Sequence, residues 1–193
     1  MKIGALVLAA GFSNRFGTIK LCAHLGDGRT VFQQTLDRLS AAIPHIEVAT
    51  REDVAPLIDG YAENIHVFDG AEQGMGSTLA HGIQYFKDCH GCLICLADMP
   101  YVESKTYAQL AGELRADNII IPVYQDKPGN PVGFGANFFP ELALLSGDRG
   151  GRSVIEKHAP SVVHLPVDDP AILYDIDTPE DLSRLADKFP KGN

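Results

Sequence analysis

The chain has 193 residues, 45% hydrophobic and 21% charged, which suits a folded domain with its own core and excludes a disordered polypeptide. Its 25 acidic residues outnumber 16 basic ones for a net charge of −9, and no basic stripe is visible, which argues against a nucleic-acid partner. The longest apolar stretch, Ile3 to Ala10, is too short to span a bilayer and follows no cationic leader, so no membrane partner and a cytoplasmic location are expected.

Short apolar runs alternate with helical patterns, as in an α/β fold: a three-layer sandwich around a mainly parallel, Rossmann-like twisted sheet. In chain order, the pattern predicts a strand over 2–9, a helix over 30–43, a strand over 46–50 and a helix over 53–61. A strand over 65–68, a helix over 77–88, a strand over 91–97 and a helix over 104–114 follow. A strand is expected over 118–122, helices over 138–145 and 151–158, a strand over 162–166 and a helix over 179–189. The first and fourth strands are nearly continuous apolar runs, as central strands covered on both faces should be. Thr178 can cap the last helix, with Pro179 at its first position and Asp181 in its first turn; Ser104 stands before another helix in the same way. Residues 125–135 hold two prolines and three glycines and read as a loop or irregular hairpin. There is no internal repeat or low-complexity segment, and one domain over 1–193 is the simplest organisation.

Cys89, Cys92 and Cys95 are spaced C-x2-C-x2-C, which invites a metal-cluster reading. On a strand Cys92 and Cys95 point to opposite faces and cannot close on one ion, so they are expected in the core as small apolar residues. Cys22 is distant in sequence, and a disulfide is not expected in a cytosolic chain.

Residues 8–21 read Leu-Ala-Ala-Gly-Phe-Ser-Asn-Arg-Phe-Gly-Thr-Ile-Lys-Leu. A buried strand runs into a loop with small residues, two glycines and two cations. In open α/β sheets ligands bind beyond the carboxyl ends of the strands, so this loop borders the expected site. Ala10 and Gly11 let backbone N–H groups approach an anion, and Arg15 and Lys20 supply charge for a polyphosphate. It is neither a P-loop, because Thr18 and Ile19 separate Gly17 from Lys20, nor a dinucleotide fingerprint, because Ser13 stands where a second glycine is needed.

The string Leu8-Ala-Ala-Gly-x-Ser-x-Arg-Phe-Gly-x-x-Lys-Leu21 resembles the opening signature of molybdenum-cofactor cytidylyltransferases and their nucleotidyltransferase relatives. The resemblance implies a fold of the nucleotide-diphospho-sugar transferase type. It also implies a loop that wraps a triphosphate, with Arg15 and Lys20 neutralising it and the backbone of Leu8, Ala9 and Ala10 near the base. Alanine at position 10 resembles the cytidine-using branch, the guanosine-using branch having glycine there. An NTP, expected to be CTP, is then one substrate.

Asp98, in Leu-Ala-Asp-Met-Pro over 96–100, ends a buried strand and points to the same edge of the sheet as the glycine loop. A hard divalent cation held by one or two carboxylates and substrate phosphate is the usual magnesium arrangement, while a carboxylate capping the next turn is the bland alternative. The family carries the same five residues and binds magnesium through this aspartate. Asp175 and Asp177 on an extended stretch face the same way, so both reach the site or both face solvent. The family's D-I-D-T-P-E-D-L segment favours Asp177 as the second metal ligand, with Asp175 as the alternative, and Asp181 is assigned to the helix start. The cofactor is therefore expected to be Mg2+, with Mn2+ as a substitute.

Residues 72–79, Glu-Gln-Gly-Met-Gly-Ser-Thr-Leu, put glycines and hydroxyls at a helix start, where N–H groups can meet an anion or base, or where Ser77 simply caps the helix. The resemblance implies that Gln73, Gly76 and Ser77 contact the nucleotide. Segments 129–134 and 147–152 resemble family segments bordering the acceptor pocket, which assigns acceptor contacts to Asn130, Asp148 and Arg152. Asn130 replaces the family's histidine and Gly151 its alanine; Asp148 and Arg152 can alternatively pair with each other on the surface.

Taken together, the resemblance implies transfer of CMP from CTP to a phosphorylated small molecule, above all molybdopterin or molybdenum cofactor, with release of pyrophosphate. Lys20, Arg15 and Asp98 are the expected catalytic residues, and a molybdoenzyme is a conceivable protein partner. The rival readings are a guanylyltransferase using GTP, a cytidylyltransferase for a sugar or polyol phosphate, and a non-catalytic protein that delivers the finished cofactor.

Overall fold

The computed structural model describes residues 1–13 and 15–189. The elements in chain order are β1 (Ile3–Ala9), α1 (Val31–Ser40), β2 (Ile46–Thr50), α2 (Ala55–Ile58), β3 (Ile65–Val67), α3 (Met75–Ile83), β4 (Gly91–Leu96) and α4 (Ser104–Glu113). They continue as β5 (Ile119–Tyr124), β6 (Lys127–Pro128), β7 (Val132–Gly135), α5 (Phe139–Leu142), α6 (Arg152–Lys157), β8 (Val162–Pro166) and α7 (Pro179–Lys188).

One eight-stranded sheet organises the chain, in the order β3-β2-β1-β4-β7-β5-β6, with β8 paired to the other edge of β5. The pairings β1–β2, β1–β4, β2–β3 and β5–β8 are parallel, while β7 enters antiparallel between β4 and β5. The segment 125–135, expected as a loop or irregular hairpin, closes the short β5–β6 hairpin and then forms β7, a strand not expected there. Its Val-Gly-Phe-Gly sequence holds only one large apolar residue, Phe134, which is 1% exposed, and its two glycines hide the strand from any hydrophobic count. At Gly133 a Cβ would stand 3.1 Å from Leu93 and 3.2 Å from Leu114, so glycine eases their packing over the strand.

Helices cover both faces of the sheet. On one side α1, α4 and α7 bury Phe32, Leu36, Tyr107, Leu110 and Leu185 against Val7, Leu93 and Cys95. On the other side α3, α5 and α6 bury Leu79, Ile83, Leu142 and Val154 against Leu6, Cys92 and Ile94. Cys92 and Cys95 thus lie in different cores on opposite faces of β4, as strand geometry requires, and the four cysteines are free. Among the described residues no helix is long and apolar enough to cross a membrane.

Local chemistry sets the helix starts. Thr30 and Gln33 form a capping box on α1, and Thr178 with Asp181 form another on α7. Two starts differ from the sequence expectation. Ser104 is the first residue of α4 rather than its cap; the buried carboxylate of Asp169, distant in sequence, accepts instead from Glu103 N at 2.9 Å and Thr106 Oγ1 at 2.7 Å. The α3 helix begins at Met75, so Ser77 lies within it, its hydroxyl donating back to Gln73 O at 3.4 Å.

Candidate active site

The site grows from the joined ends of β1 and β4. Leu8 lies beside Leu96, Ala97 N donates to Leu8 O at 3.2 Å, and the Thr50 hydroxyl donates to Ala9 O at 3.1 Å. The chain then leaves the sheet as a loop, described over residues 10–13 and 15–19. Phe16 N donates to Ser13 O at 2.9 Å, and Gly17 takes a positive φ of 79° that an L side chain resists. Leu21, 5% exposed, anchors the loop's far end in the core and leaves the neighbouring Lys20 pointing back under the loop.

Asp98 follows β4 directly. The segment 175–177 is delivered to it by Ile176, which is fully buried and whose N–H donates to Asp98 O at 2.9 Å. With Ile176 turned into the core, the side chains on either side of it turn outward together. Asp98, Asp175 and Asp177 consequently bring carboxylate oxygens within 4.8 Å of one another. Both members of the 175/177 pair reach the site, so Asp175 joins Asp177 rather than replacing it.

Two cations meet this acidic group. Lys20 Nζ lies 2.5 Å from Asp98 Oδ2 and 2.8 Å from Asp177 Oδ1, and Arg15 reaches Asp177 Oδ2 at 2.5 Å. The Lys20 and Asp98 side chains are 11% and 16% exposed, whereas Arg15 is 72% exposed. Burial pulls the Lys20 ammonium down, but Asp98 and Asp177 outweigh it and hold it above its ordinary value. Burial pushes the Asp98 carboxyl up, against the charge of Lys20. Asp98 Oδ1 is buried and has no hydrogen-bond partner among the described residues. An unpaired carboxylate oxygen beside two more carboxylates is an all-oxygen donor set suited to a hard divalent cation, and these residues fit one.

These groups line a cavity of about 460 Å³. Leu8, Ala9, Ala10, Gly11, Arg15, Lys20, Asp98, Asp177 and Asp148 all border it. Three expected nucleotide contacts do not. Gln73 is exposed, Ser77 is turned into α3, and Gly76 donates its N–H to Gly147 O at 2.7 Å. Because α3 starts two residues early, Gly74, Met75 and Thr78 present themselves instead. Gly74 has φ 103°, and a Cβ there would stand 2.2 Å from Asp148 Oδ1, so the 146–148 loop closes directly on this glycine.

The expected acceptor set is also divided. Asp148 is at the cavity, but Arg152 is 74% exposed and pairs with Glu156 at 2.9 Å, not with Asp148, because the two lie one turn apart on α6. Asn130 lies outside the cavity lining, its N–H donating to Ile172 O at 2.9 Å. Phe12, Ser13, Ala71 and Glu72 line the cavity without having been singled out. Phe12 and Ser13 sit inside the recognised loop, so position was the available signal.

Residues 5–162 match the MobA-like NTP transferase domain. The chain belongs to this family. No curated protein matches it by sequence. Among solved structures, Rv0371c from Mycobacterium tuberculosis H37Rv is 29% identical, with 96% of this chain and 97% of that one covered and a TM-score of 0.84. A structure of the same protein in complex with manganese aligns at 26% identity over 97% and 99% of the two chains, with a TM-score of 0.80. A nucleotidyl transferase from Methanothermobacter thermautotrophicus shares the fold at 21% identity, 97% coverage of both chains and a TM-score of 0.82. A MobA-like nucleotidyltransferase carrying an acidic cluster suited to a divalent metal is thus established as the frame for the chemistry.

Proposed function

We propose that the chain is a magnesium-dependent cytidylyltransferase that moves CMP from CTP to a phosphorylated small acceptor, with molybdopterin or molybdenum cofactor as the favoured acceptor, and releases pyrophosphate. The observation that carries this reading is the meeting of Lys20 and Arg15 with Asp98, Asp175 and Asp177 in one cavity at the end of β1 and β4. That Rv0371c forms a complex with manganese supports a divalent ion for this chain. Alanine at position 10 supports CTP over GTP.

Asp98, with Asp177 and Asp175, would hold the ion, which when bound supplies positive charge to the phosphates. Lys20 and Arg15 exchange carboxylate partners for phosphate oxygens, and the N–H groups of Ala10 and Gly11 face the same anion. The acceptor's phosphate monoester is largely ionised at neutral pH, so its oxygen attacks the α-phosphorus in line without a general base. Among the described residues no histidine borders the cavity, in keeping with that chemistry. Rate enhancement then rests on positioning and on charge stabilisation by Lys20 and Arg15.

The test is a panel of four NTPs with magnesium, scored by thermal shift and then by pyrophosphate release with molybdopterin and with sugar or polyol phosphates. CTP-dependent pyrophosphate formation with molybdopterin supports the assignment. Turnover with GTP, or with a sugar phosphate alone, would replace it with the corresponding rival.

A further inference from the structure

Two walls of the cavity come from neighbouring stretches of chain. The segment 68–73 after β3 supplies Ala71 and Glu72, and the start of α3 supplies Met75 and Thr78. A column of rings joins them. His81, one turn beyond Thr78 on α3, stacks on Phe68 with ring centroids 4.8 Å and planes 25° apart, and meets Tyr85 edge-on at 5.9 Å. Tyr85 stacks in turn on His66 at 3.5 Å, and His66 Nε2 lies 2.6 Å from the buried Glu47 carboxylate on β2. The column is thereby tied to the sheet at its far end. At the near end Phe68 N donates to Thr50 O at 2.8 Å, and a Cβ on Gly70 would stand 2.7 Å from the Phe68 ring. A shift of that ring toward Gly70 therefore displaces the backbone that carries Ala71 and Glu72.

The place of His81 in this column suits its neutral form. Its Nε2 is buried and has no hydrogen-bond partner among the described residues. In the neutral ring that nitrogen can be the bare one, whereas an imidazolium carries an N–H at both positions. A cationic N–H buried without an acceptor costs more than a bare ring nitrogen. The titratable groups facing the ring are His66 from β3, Asp69 from the segment after it and Tyr85 from the turn after α3. Burial lowers the titration of His81 first and the charge of His66 lowers it further, with Asp69 opposing them only in part. An unfolded histidine titrates near 6.5, so the stability this neutral ring contributes is complete above about pH 6.5 and is lost as pH falls through the lower native value.

We propose that His81 is a positioning residue of the candidate active site: its ring clamps the segment 68–73 to α3, and taking up a proton opens the clamp. With the clamp open, Phe68 is free to move and the wall carrying Ala71 and Glu72 moves with it. The consequence for nucleotide binding rests on the nucleotidyltransferase reading above; the clamp itself does not.

The experiment compares the unaltered protein with His81→Phe, which keeps a ring in the stack and cannot titrate, and His81→Ala, which removes the ring. Hydrogen exchange over residues 68–73, corrected for its intrinsic pH dependence, is followed by mass spectrometry at about pH 7.5 and about pH 5.5, either side of the ordinary histidine range. The unaltered protein should lose protection several-fold at the lower pH, His81→Phe should keep it at both, and His81→Ala should lack it at both. An NMR titration of the unaltered protein should place the His81 ring below the ordinary histidine range. CTP affinity in magnesium should fall several-fold more on acidification in the unaltered protein than in His81→Phe, a comparison that cancels the titration of the nucleotide itself. An acid response of His81→Phe equal to that of the unaltered protein overturns the clamp. So does protection untouched in His81→Ala, or a His81 ring that titrates at or above the ordinary range. Exchange that responds to acid while the CTP affinities of the two proteins run in parallel overturns the positioning role. If the unaltered protein binds no CTP at either pH, the nucleotidyltransferase reading falls and the positioning role with it, while the exchange data still decide the clamp.

Discussion

Replacing Lys20 by methionine removes the cation at the centre of the site while keeping most of the side chain's volume. Lys20 Nζ contacts Asp98 at 2.5 Å and Asp177 at 2.8 Å. At an effective dielectric constant of about 20 each contact carries about 6 kcal/mol of Coulomb attraction, most of it offset by desolvation. Deleting one partner of a buried pair costs about 3–5 kcal/mol because the other charge is stranded, and carboxylates 16% and 25% exposed place this case near 3. In a chain of this length that is a Tm loss of roughly 6–12 °C in EDTA. Three carboxylates then face one another with only Arg15 nearby, and magnesium no longer has to displace an ammonium. Added magnesium should therefore raise the Tm of Lys20→Met more than that of the unaltered protein and recover most of the loss. Activity should not follow stability: kcat/KM should stay about 100-fold down or more at saturating magnesium, as for other lost electrostatic stabilisers. Equal Tm values in EDTA together with equal magnesium responses would refute the central role given to this ion pair.

Gly74→Ala should destabilise the protein by about 2 kcal/mol or more, measured by urea unfolding, because φ 103° strains any Cβ and Asp148 Oδ1 stands 2.2 Å from it. Its nucleotide affinity should fall as the 146–148 loop is pushed off the cavity. Asp181 gives a pH dependence. Burial alone would raise its carboxyl, but Arg184, the Thr178 hydroxyl and the backbone N–H groups of Asp177 and Thr178 bring it down to about 2. An unfolded aspartate titrates near 3.9, so this stabilisation is complete above about pH 4 and is lost as pH falls through about 2. Solvent screening at a helix cap keeps it to about 1 kcal/mol, and Asp181→Asn should flatten the Tm profile between pH 4 and 2 by that amount.

Much of the frame was legible because burial on both faces writes itself into the sequence. The runs at 3–9 and 91–96 are apolar without interruption, and they are the central strands β1 and β4. Lys20 and Arg15 were named from a recognised loop, Asp98 from its place at a strand end, and Asp177 from the resemblance of segment 175–182. What escaped was set by distant partners. The capping of α4 by Asp169 joins residues 66 positions apart, and nothing near Ser104 announces it. The antiparallel β7 pairs with β4 and β5, with Leu93 and Leu114 close over Gly133, a tertiary setting that no local propensity encodes. Gly76 and Ser77 were named from the resemblance of segment 72–79, but α3 begins at Met75 and turns Ser77 inward, so that Gly74, Met75 and Thr78 of the same segment line the cavity.

Asn130 departs from the family's histidine, and its surroundings connect it to the metal-binding segment more directly than to an acceptor. Gly129 N donates to Pro122 O and Asn130 N to Ile172 O, each at 2.9 Å, so the turn between β6 and β7 clasps the chain just before Asp175. A Cβ on Gly129 would stand 2.3 Å from Ile172 O, a backbone atom that cannot swing aside. Gly129→Ala must therefore push residues 172–177 outward or part β6 from β5. The overpacking should cost about 1–3 kcal/mol. If the clasp positions the carboxylates, the magnesium concentration giving half-maximal thermal shift should rise several-fold, because Asp175 and Asp177 are drawn away from Asp98 while Asp98 stays fixed to β4. A loss of Tm with unchanged magnesium dependence would mean that the Ile176–Asp98 hydrogen bond alone holds the segment and that the turn is only structural.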